Sequence, residues 1–163
     1  MKTVLAVALL ALGQEDRYGT ETPIFYRAEK ALWDFREQKV LFDDQIGNFL
    51  DEVYEDPWFK QKFPRAKKPK YAVGKYKDKA YSNGDTLYFV PYKDTGKPVS
   101  TNYNVLHEMT HQLAPGHNHD RVFAMTYAVL VHHFVGQDSL ELLAESYRKN
   151  GRPGWVPKIS YGK

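Results

Sequence analysis

The chain is organised around one stretch, Leu106-His107-Glu108-Met109-Thr110-His111-Gln112-Leu113. If residues 104–113 form a helix, with about 100° between successive side chains, the apolar residues share one arc: Val105, Leu106, Met109 and Leu113. The opposite arc carries polar residues, namely Asn104, His107, Glu108 and His111. This division predicts an amphipathic helix with its apolar side against a core and its polar side at a site.

The polar side has the residue types of a zinc site. His107 and His111 are four residues apart, so a helix places both imidazoles on one face, where they can reach the same ion. The pattern His-Glu-x-x-His is that of the zinc helix of metallopeptidases, in which the metal activates a water molecule. Glu108 lies next to His107 and is the candidate general base. The alternative is a chance match on an ordinary amphipathic helix.

Composition limits the classes of protein that the chain can represent. Its 163 residues are 42% hydrophobic and 26% charged, which is typical of a single soluble globular domain. The absence of cysteine excludes disulfides, a cysteine-based zinc ribbon and a thiol nucleophile. The net charge of +3 is too small to indicate a nucleic-acid partner by itself.

The N-terminal segment, residues 1–13, is one lysine followed by an apolar run. Two interpretations stay open, a secretory signal peptide or a buried N-terminal element of the domain. The segment is too short to span a bilayer, for which about 20 residues are needed. We expect one domain over residues 14–163 and a cytoplasmic protein, or a secreted one if residues 1–13 are cleaved.

Hydrophobic periodicity and turn signals predict an α+β domain with a small antiparallel sheet. The predicted helices are 22–37, 44–54, a short one at 58–63, the helix at 104–113, 121–135 and one from Asp138 or Ser139 to 149. The predicted strands are 71–77, 79–82 and 86–90, the last two joined by a hairpin turn at Asn83-Gly84. Leu87 to Val90 is either a core strand or an edge strand beside the zinc helix that binds extended substrate.

Residues 60–79 contain nine lysines and arginines and a single acid, Asp78. Such a run is typical either of a solvated loop and strand edge or of a surface that binds nucleic acid or an acidic substrate. We favour the solvated loop, because Tyr71 and Tyr76 are equally suited to a strand.

A catalytic zinc needs a third protein ligand, and the segment after the helix offers His117 and His119. Pro115 and Gly116 end the helix and bend the chain back, so either imidazole could reach the ion. Other titratable residues lie farther away: His132, His133, Glu141 and Glu145. Tyr88 or Tyr161 could stabilise an oxyanion, and nothing in the sequence selects between them.

The chain from about Asp16 resembles the SprT-like minimal zincins, and more closely a group of small bacterial and phage HExxH metallohydrolases. The resemblance is carried by Phe25-Tyr26-Arg27-Ala28-Glu29, Trp58-Phe59, Phe63-Pro64, Val105-Leu106-His107-Glu108 and Leu113-Ala114-Pro115. In such proteins the third ligand opens a His-Gly-Pro-x-Phe-like segment, which corresponds here to His119-Asp120-Arg121-Val122-Phe123. The resemblance therefore implies a zincin-like fold with His119 as the third ligand.

His117 instead resembles the third ligand of metzincins, His-Glu-x-x-His-x-x-Gly-x-x-His. The spacing fits, but Ala114 stands at the glycine, and Met125 lies inside a predicted helix rather than in a methionine turn. We therefore prefer His119, with His117 as the alternative.

Together these features predict a metallopeptidase. In this prediction Zn²⁺ is held by His107, His111 and His119, Glu108 is the base, and the substrate is a protein or peptide. The alternative is a non-catalytic zinc-stabilised binding domain, associated with nucleic acid through residues 60–79.

Overall fold

The computed structural model describes residues 21–35, 41–74, 80–90 and 101–156. These residues form six α-helices and three strands, which confirms the α+β class. The elements are α1 (Thr22–Phe35), α2 (Asp43–Glu55), α3 (Pro57–Lys62), β1 (Lys70–Val73), β2 (Tyr81–Asn83), β3 (Thr86–Phe89), α4 (Asn102–Leu113), α5 (Arg121–Phe134) and α6 (Gln137–Lys149), followed by a 3₁₀ turn, Pro153–Trp155.

Local capping chemistry explains where several helices begin. The side chains of Thr101 and Asp120 accept hydrogen bonds from backbone N–H groups in the first turns of α4 and α5. Asp56 caps α3 in the same way and is followed by Pro57 at the first helical position. These are short-range interactions, and for that reason the sequence located these helices to within about two residues.

The sheet is mixed, so the prediction of an antiparallel sheet was wrong. Its strand order is β1-β3-β2, with β3 antiparallel to β2 and parallel to β1. The hairpin between β2 and β3 was predicted correctly, because its turn signal is local. The parallel pairing brings together segments that a hairpin does not connect, and no turn signal specifies it.

The strand order decides between the two positions left open for the strand before the zinc helix. Among the described strands β3 lies between the other two, so it is the core strand rather than the edge strand, and β2 contacts α4. The hairpin turn is centred one residue later than expected, since Asn83 pairs with Thr86 and Gly84 adopts a φ of 60°. A glycine with positive φ at the first central position is the pattern of a type II′ turn rather than the Asn-Gly type I′ turn.

The hydrophobic core lies between α4, α5 and the helices that pack around them. α1 packs on α6, α4 on α5, and α5 on α6. Residues fully buried in this core include Leu32, Leu106, Met109, Tyr127 and Leu143. Burying one such large side chain contributes about 1.5–3 kcal/mol, so this packing holds α4 against its neighbours.

Several expectations fall wholly or partly outside the described residues. They include the alternative roles of residues 1–13, the end of the first helix at 36–37, the continuation of the first strand beyond Gly74 and a role for Tyr161. Within the described ranges, no helix combines the length and the apolar content needed to cross a bilayer.

Candidate metal centre

Two elements bring three histidines together. His107 and His111 lie on one face of α4, and His119 comes from the segment between α4 and α5. Gly116, with a φ of 82°, turns the chain back after α4. His119 itself adopts a φ of 59°, a left-handed conformation that is uncommon for a residue with a side chain. This backbone conformation is found at the residue that completes the cluster, and such outliers concentrate at functional sites.

The distances within the cluster suit a bound cation. One ring nitrogen from each histidine lies within 4.8 Å of the others. The Nε2 atoms of His107 and His119 are 3.1 Å apart. Two nitrogen ligands of a tetrahedral zinc are about 3.3 Å apart when each bond is about 2.05 Å. The three imidazoles could therefore hold one metal ion with little rearrangement.

A buried carboxylate from α1 contacts the first histidine. Oε1 of Glu29 is 2.7 Å from Nδ1 of His107, and the two side chains are 1% and 8% exposed. Burial by itself would lower the pKa of His107, but the charge and hydrogen bond of Glu29, together with the charge of Glu108, outweigh burial and raise it. With Nδ1 donating to Glu29, Nε2 faces the other imidazoles as the ligand atom.

Aromatic rings enclose the cluster. The ring of Phe123 lies 4.6 Å from the rings of both His111 and His119, and Phe25 lies 5.2 Å from His119. Burial lowers the pKa of His111 to about 4 and that of His119 to about 3, and the charge of His107 adds to both effects. Both imidazoles are therefore neutral at pH 7, which is the form that binds metals.

Glu108 lies beside the cluster and is available for proton transfer. Its side chain is buried, and its Oε2 atom has no hydrogen-bond partner among the described residues. Burial raises the pKa of Glu108 to about 7, the charge of His107 lowers it, and the charge of Glu29 raises it. A carboxylate with a pKa near neutrality is suited to accept and return a proton at physiological pH.

His117 does not join the cluster. Its Nδ1 atom lies 2.7 Å from Oδ2 of Asp120, the residue that caps α5. In the described structure the three preferred ligands, His107, His111 and His119, therefore lie together, whereas the alternative ligand His117 contacts Asp120.

The other candidate residues that the structure describes lie elsewhere. His133 stacks on Trp58 at 4.0 Å and contacts Asp56, Glu141 accepts a hydrogen bond from Gln137, and Glu145 pairs with Arg148 and Lys149. Tyr88 stacks on Tyr81 at 4.5 Å. His132 is half-buried on α5 and is not one of the clustered histidines. Tyr161 lies outside the described residues.

The cluster opens into a cleft of about 880 Å³. Its floor includes His107, Glu108 and His111, and one side is formed by residues 80–82 and by the hairpin turn. Gln112 donates a hydrogen bond to the carbonyl of Gly84 across this side, which ties α4 to the hairpin. The site is therefore accessible from a groove rather than sealed in the core.

Sequence reasoning assigned no role to two residues at the site, Glu29 and Tyr26. Tyr26 is 45% exposed, and its ring lies 4.8 Å from that of His119. Glu29 shares the buried face of α1 with Phe25 and Leu32, at intervals of four and three residues. A glutamate in such a position on an apolar helix face is the signal that could have identified it, since buried acids need a partner.

Comparison with protein-family models, with curated proteins and with solved structures finds no match to this chain. The resemblance to SprT-like zincins stays a prediction based on the quoted motifs.

Proposed function

We propose that this chain is a zinc-dependent peptidase, with His107, His111 and His119 as the metal ligands and Glu108 as the general base. The observation that carries the proposal is the cluster of three imidazoles beside a buried carboxylate oxygen that makes no hydrogen bond within the described part of the chain. Three histidines with one open position are a ligand set of catalytic zinc sites.

The residues of the chain divide the chemical work between them. A zinc ion held by His107, His111 and His119 would supply Lewis-acid chemistry and would lower the pKa of a water molecule to about 7. Glu108 accepts the proton of the attacking water at Oε2 and returns it to the leaving amine. Glu29 fixes the orientation of His107, and Phe25 and Phe123 exclude water from the back of the cluster.

The shape of the cleft supports a polypeptide substrate. It is an open groove that runs past α4 along β2, and β2 is an edge strand of the described sheet. An extended peptide can add to such an edge through main-chain hydrogen bonds, which would place its backbone beside the histidines.

The decisive experiment replaces Glu108 with glutamine. Glu108→Gln should retain about one zinc per chain, because all three ligands remain, and should lower peptide hydrolysis by about 10²- to 10⁴-fold, because the base is lost. Zinc is measured by elemental analysis and turnover with quenched fluorescent peptides. Glu52→Gln, an exposed residue of α2, is the matched control and should behave as the wild type. Full activity of Glu108→Gln would refute the mechanism.

A zinc domain without catalysis is the alternative, and the geometry does not favour it. A structural zinc is closed by four protein ligands. The described residues bring three histidines together, and His117 pairs with Asp120 instead of providing a fourth.

A further inference from the structure

The basic segment between α3 and β1 forms one wall of the cleft that contains the histidines. Arg65, Lys67 and Lys68 all line this cleft together with His111 and His119. The basic run that the sequence suggested to be a solvated loop therefore borders the candidate site. Its residues border the space that a substrate would occupy.

The wall is held at both ends. The N–H of Phe63 donates to the carbonyl of Phe59, and the N–H of Ala66 donates to that of Phe63, so the chain makes a defined turn as α3 ends. Lys70 then enters β1, and its N–H donates to the carbonyl of Asp85. The intervening cations are thus carried on anchored backbone.

Two of these cations have no acidic partner among the described residues. Lys60 pairs with Glu55, Lys68 with Asp51, and Lys70 with Asp85. Neither Arg65 nor Lys67 makes a corresponding ion pair within the part of the chain that the structure describes. The wall therefore carries two positive charges that no described acid compensates.

A buried hydroxyl group on the same cleft also lacks a partner. Tyr54 is 9% exposed, lines the cleft, and its hydroxyl makes no hydrogen bond to a described residue. Burial raises the pKa of Tyr54 to about 12, so the hydroxyl stays protonated and can donate. An unsatisfied donor in the same cleft as two cations that pair with no described acid is an arrangement suited to a negatively charged group.

We infer that this wall, formed by Arg65 and Lys67 in the cleft that Tyr54 also lines, is a subsite for a carboxylate of the peptide substrate. The inference rests on the proposed peptidase function and adds the substrate class, a peptide with a carboxylate to one side of the cleaved bond. The carboxylate comes either from an aspartate or glutamate side chain or from the C-terminus of the peptide.

The test uses quenched fluorescent decapeptides in which one glutamate is moved through an uncharged background, each compared with its glutamine counterpart. Glutamate at one position, or at two adjacent positions, should raise kcat/KM by about fivefold or more. Peptides with a free or an amidated C-terminus distinguish the two sources of the carboxylate. The advantage should shrink as salt is increased, because these cations are exposed.

Variants at Arg65 and Lys67 test whether the preference for glutamate depends on these two residues. Arg65→Ala with Lys67→Ala should abolish the glutamate advantage, and Arg65→Glu with Lys67→Glu should replace it with a preference for lysine at the same position. Lys62→Ala is the matched control, because Lys62 is exposed on α3 and does not line the cleft. A glutamate advantage that survives both wall variants would overturn the inference.

Binding separates failure of the inference from failure of the proposed function. The glutamate and glutamine peptides are titrated against the Glu108→Gln protein by fluorescence anisotropy. Selective binding of the glutamate peptide without hydrolysis by the wild type would support the subsite and refute the peptidase. Hydrolysis without any glutamate advantage in kcat/KM or in binding would refute the subsite alone.

A single-stranded oligonucleotide serves as the competing ligand in the same titration. The subsite predicts that it binds no more tightly than a peptide of equal charge. Tight oligonucleotide binding that depends on Arg65 and Lys67, with no selectivity among the peptides, would overturn the inference in favour of a nucleic-acid surface.

Discussion

The hydrogen bond between Glu29 and His107 joins α1 to α4 at a single pair of atoms. It fixes which ring nitrogen of His107 faces the other histidines, and it neutralises a buried imidazolium if one forms. Partners of this kind matter for metal affinity although they do not touch the ion.

We expect Glu29→Gln to weaken zinc binding by about 10- to 100-fold. Glutamine keeps the shape of the side chain but accepts a weaker hydrogen bond from the His107 ring. The affinity is measured by competition with a chelator of known affinity, and Glu52→Gln is the control on an exposed surface. Unchanged affinity in Glu29→Gln would show that the contact is only structural.

The two histidines after α4 provide a matched pair of substitutions. His119→Ala should lose most of the bound zinc, because it removes one of the three clustered imidazoles. His117→Ala should keep it, because His117 contacts Asp120 instead. The zinc content of the two purified variants shows which histidine is the third ligand. Zinc retained in His119→Ala but lost in His117→Ala would assign that role to His117.

At the scale of elements, side-chain caps set the starts of α3, α4 and α5, and Asp56 is the clearest case. Its Oδ1 atom accepts a hydrogen bond of 2.9 Å from the N–H of Phe59 at the start of α3. This hydrogen bond lowers the pKa of Asp56, and contacts with His133 lower it further against the opposing effect of burial. The folded state therefore favours the ionised carboxylate.

Asp56→Ala should lower the free energy of unfolding by about 1 kcal/mol at pH 7. Because the pKa of Asp56 is lowered on folding, its contribution is complete above the unfolded pKa of about 3.9 and is lost as the pH falls through the folded-state value. The difference from the wild type should therefore shrink below pH 4 in urea unfolding curves. Asp56→Asn keeps a side-chain cap without the charge, so it should lower the free energy of unfolding at pH 7 by less than Asp56→Ala does. If the difference in free energy of unfolding between Asp56→Ala and the wild type does not change with pH, the explanation through the Asp56 carboxylate is wrong.

At the scale of the molecule, the site is assembled from segments that are far apart in the sequence. Glu29 comes from α1, His107 and His111 from α4, and His119 from the following turn. The ligand atoms have this spacing only in the folded chain. Zinc should consequently stabilise the fold as a ligand that binds the native state alone.

Zinc at about 100 times its dissociation constant should stabilise the protein by about 2.7 kcal/mol. For a chain of this size, that corresponds to a rise in Tm of about 5 to 10 °C. Differential scanning fluorimetry measures the rise. Neither zinc added to His107→Ala nor magnesium added to the wild type should produce it, since magnesium prefers oxygen ligands. If zinc raises the Tm of His107→Ala as much as that of the wild type, zinc binds elsewhere on the protein.

The sequence by itself determined the features that depend on neighbouring residues. Helix periodicity placed His107 and His111 on one face, capping residues began α4 and α5, and a glycine turn paired β2 with β3. Each of these features arises from interactions within a few positions along the chain, and such interactions are readable from spacing.

Only the tertiary structure decided which residues meet across long distances. It paired Glu29 with His107 over 78 positions, paired β1 with β3 in parallel, and set the basic wall beside the cleft. It also turned His119 toward the cluster and His117 toward Asp120, although only two positions separate them. The physical reason is that these contacts depend on how α1, α4 and α5 pack together, and side-chain spacing along the chain does not encode that packing.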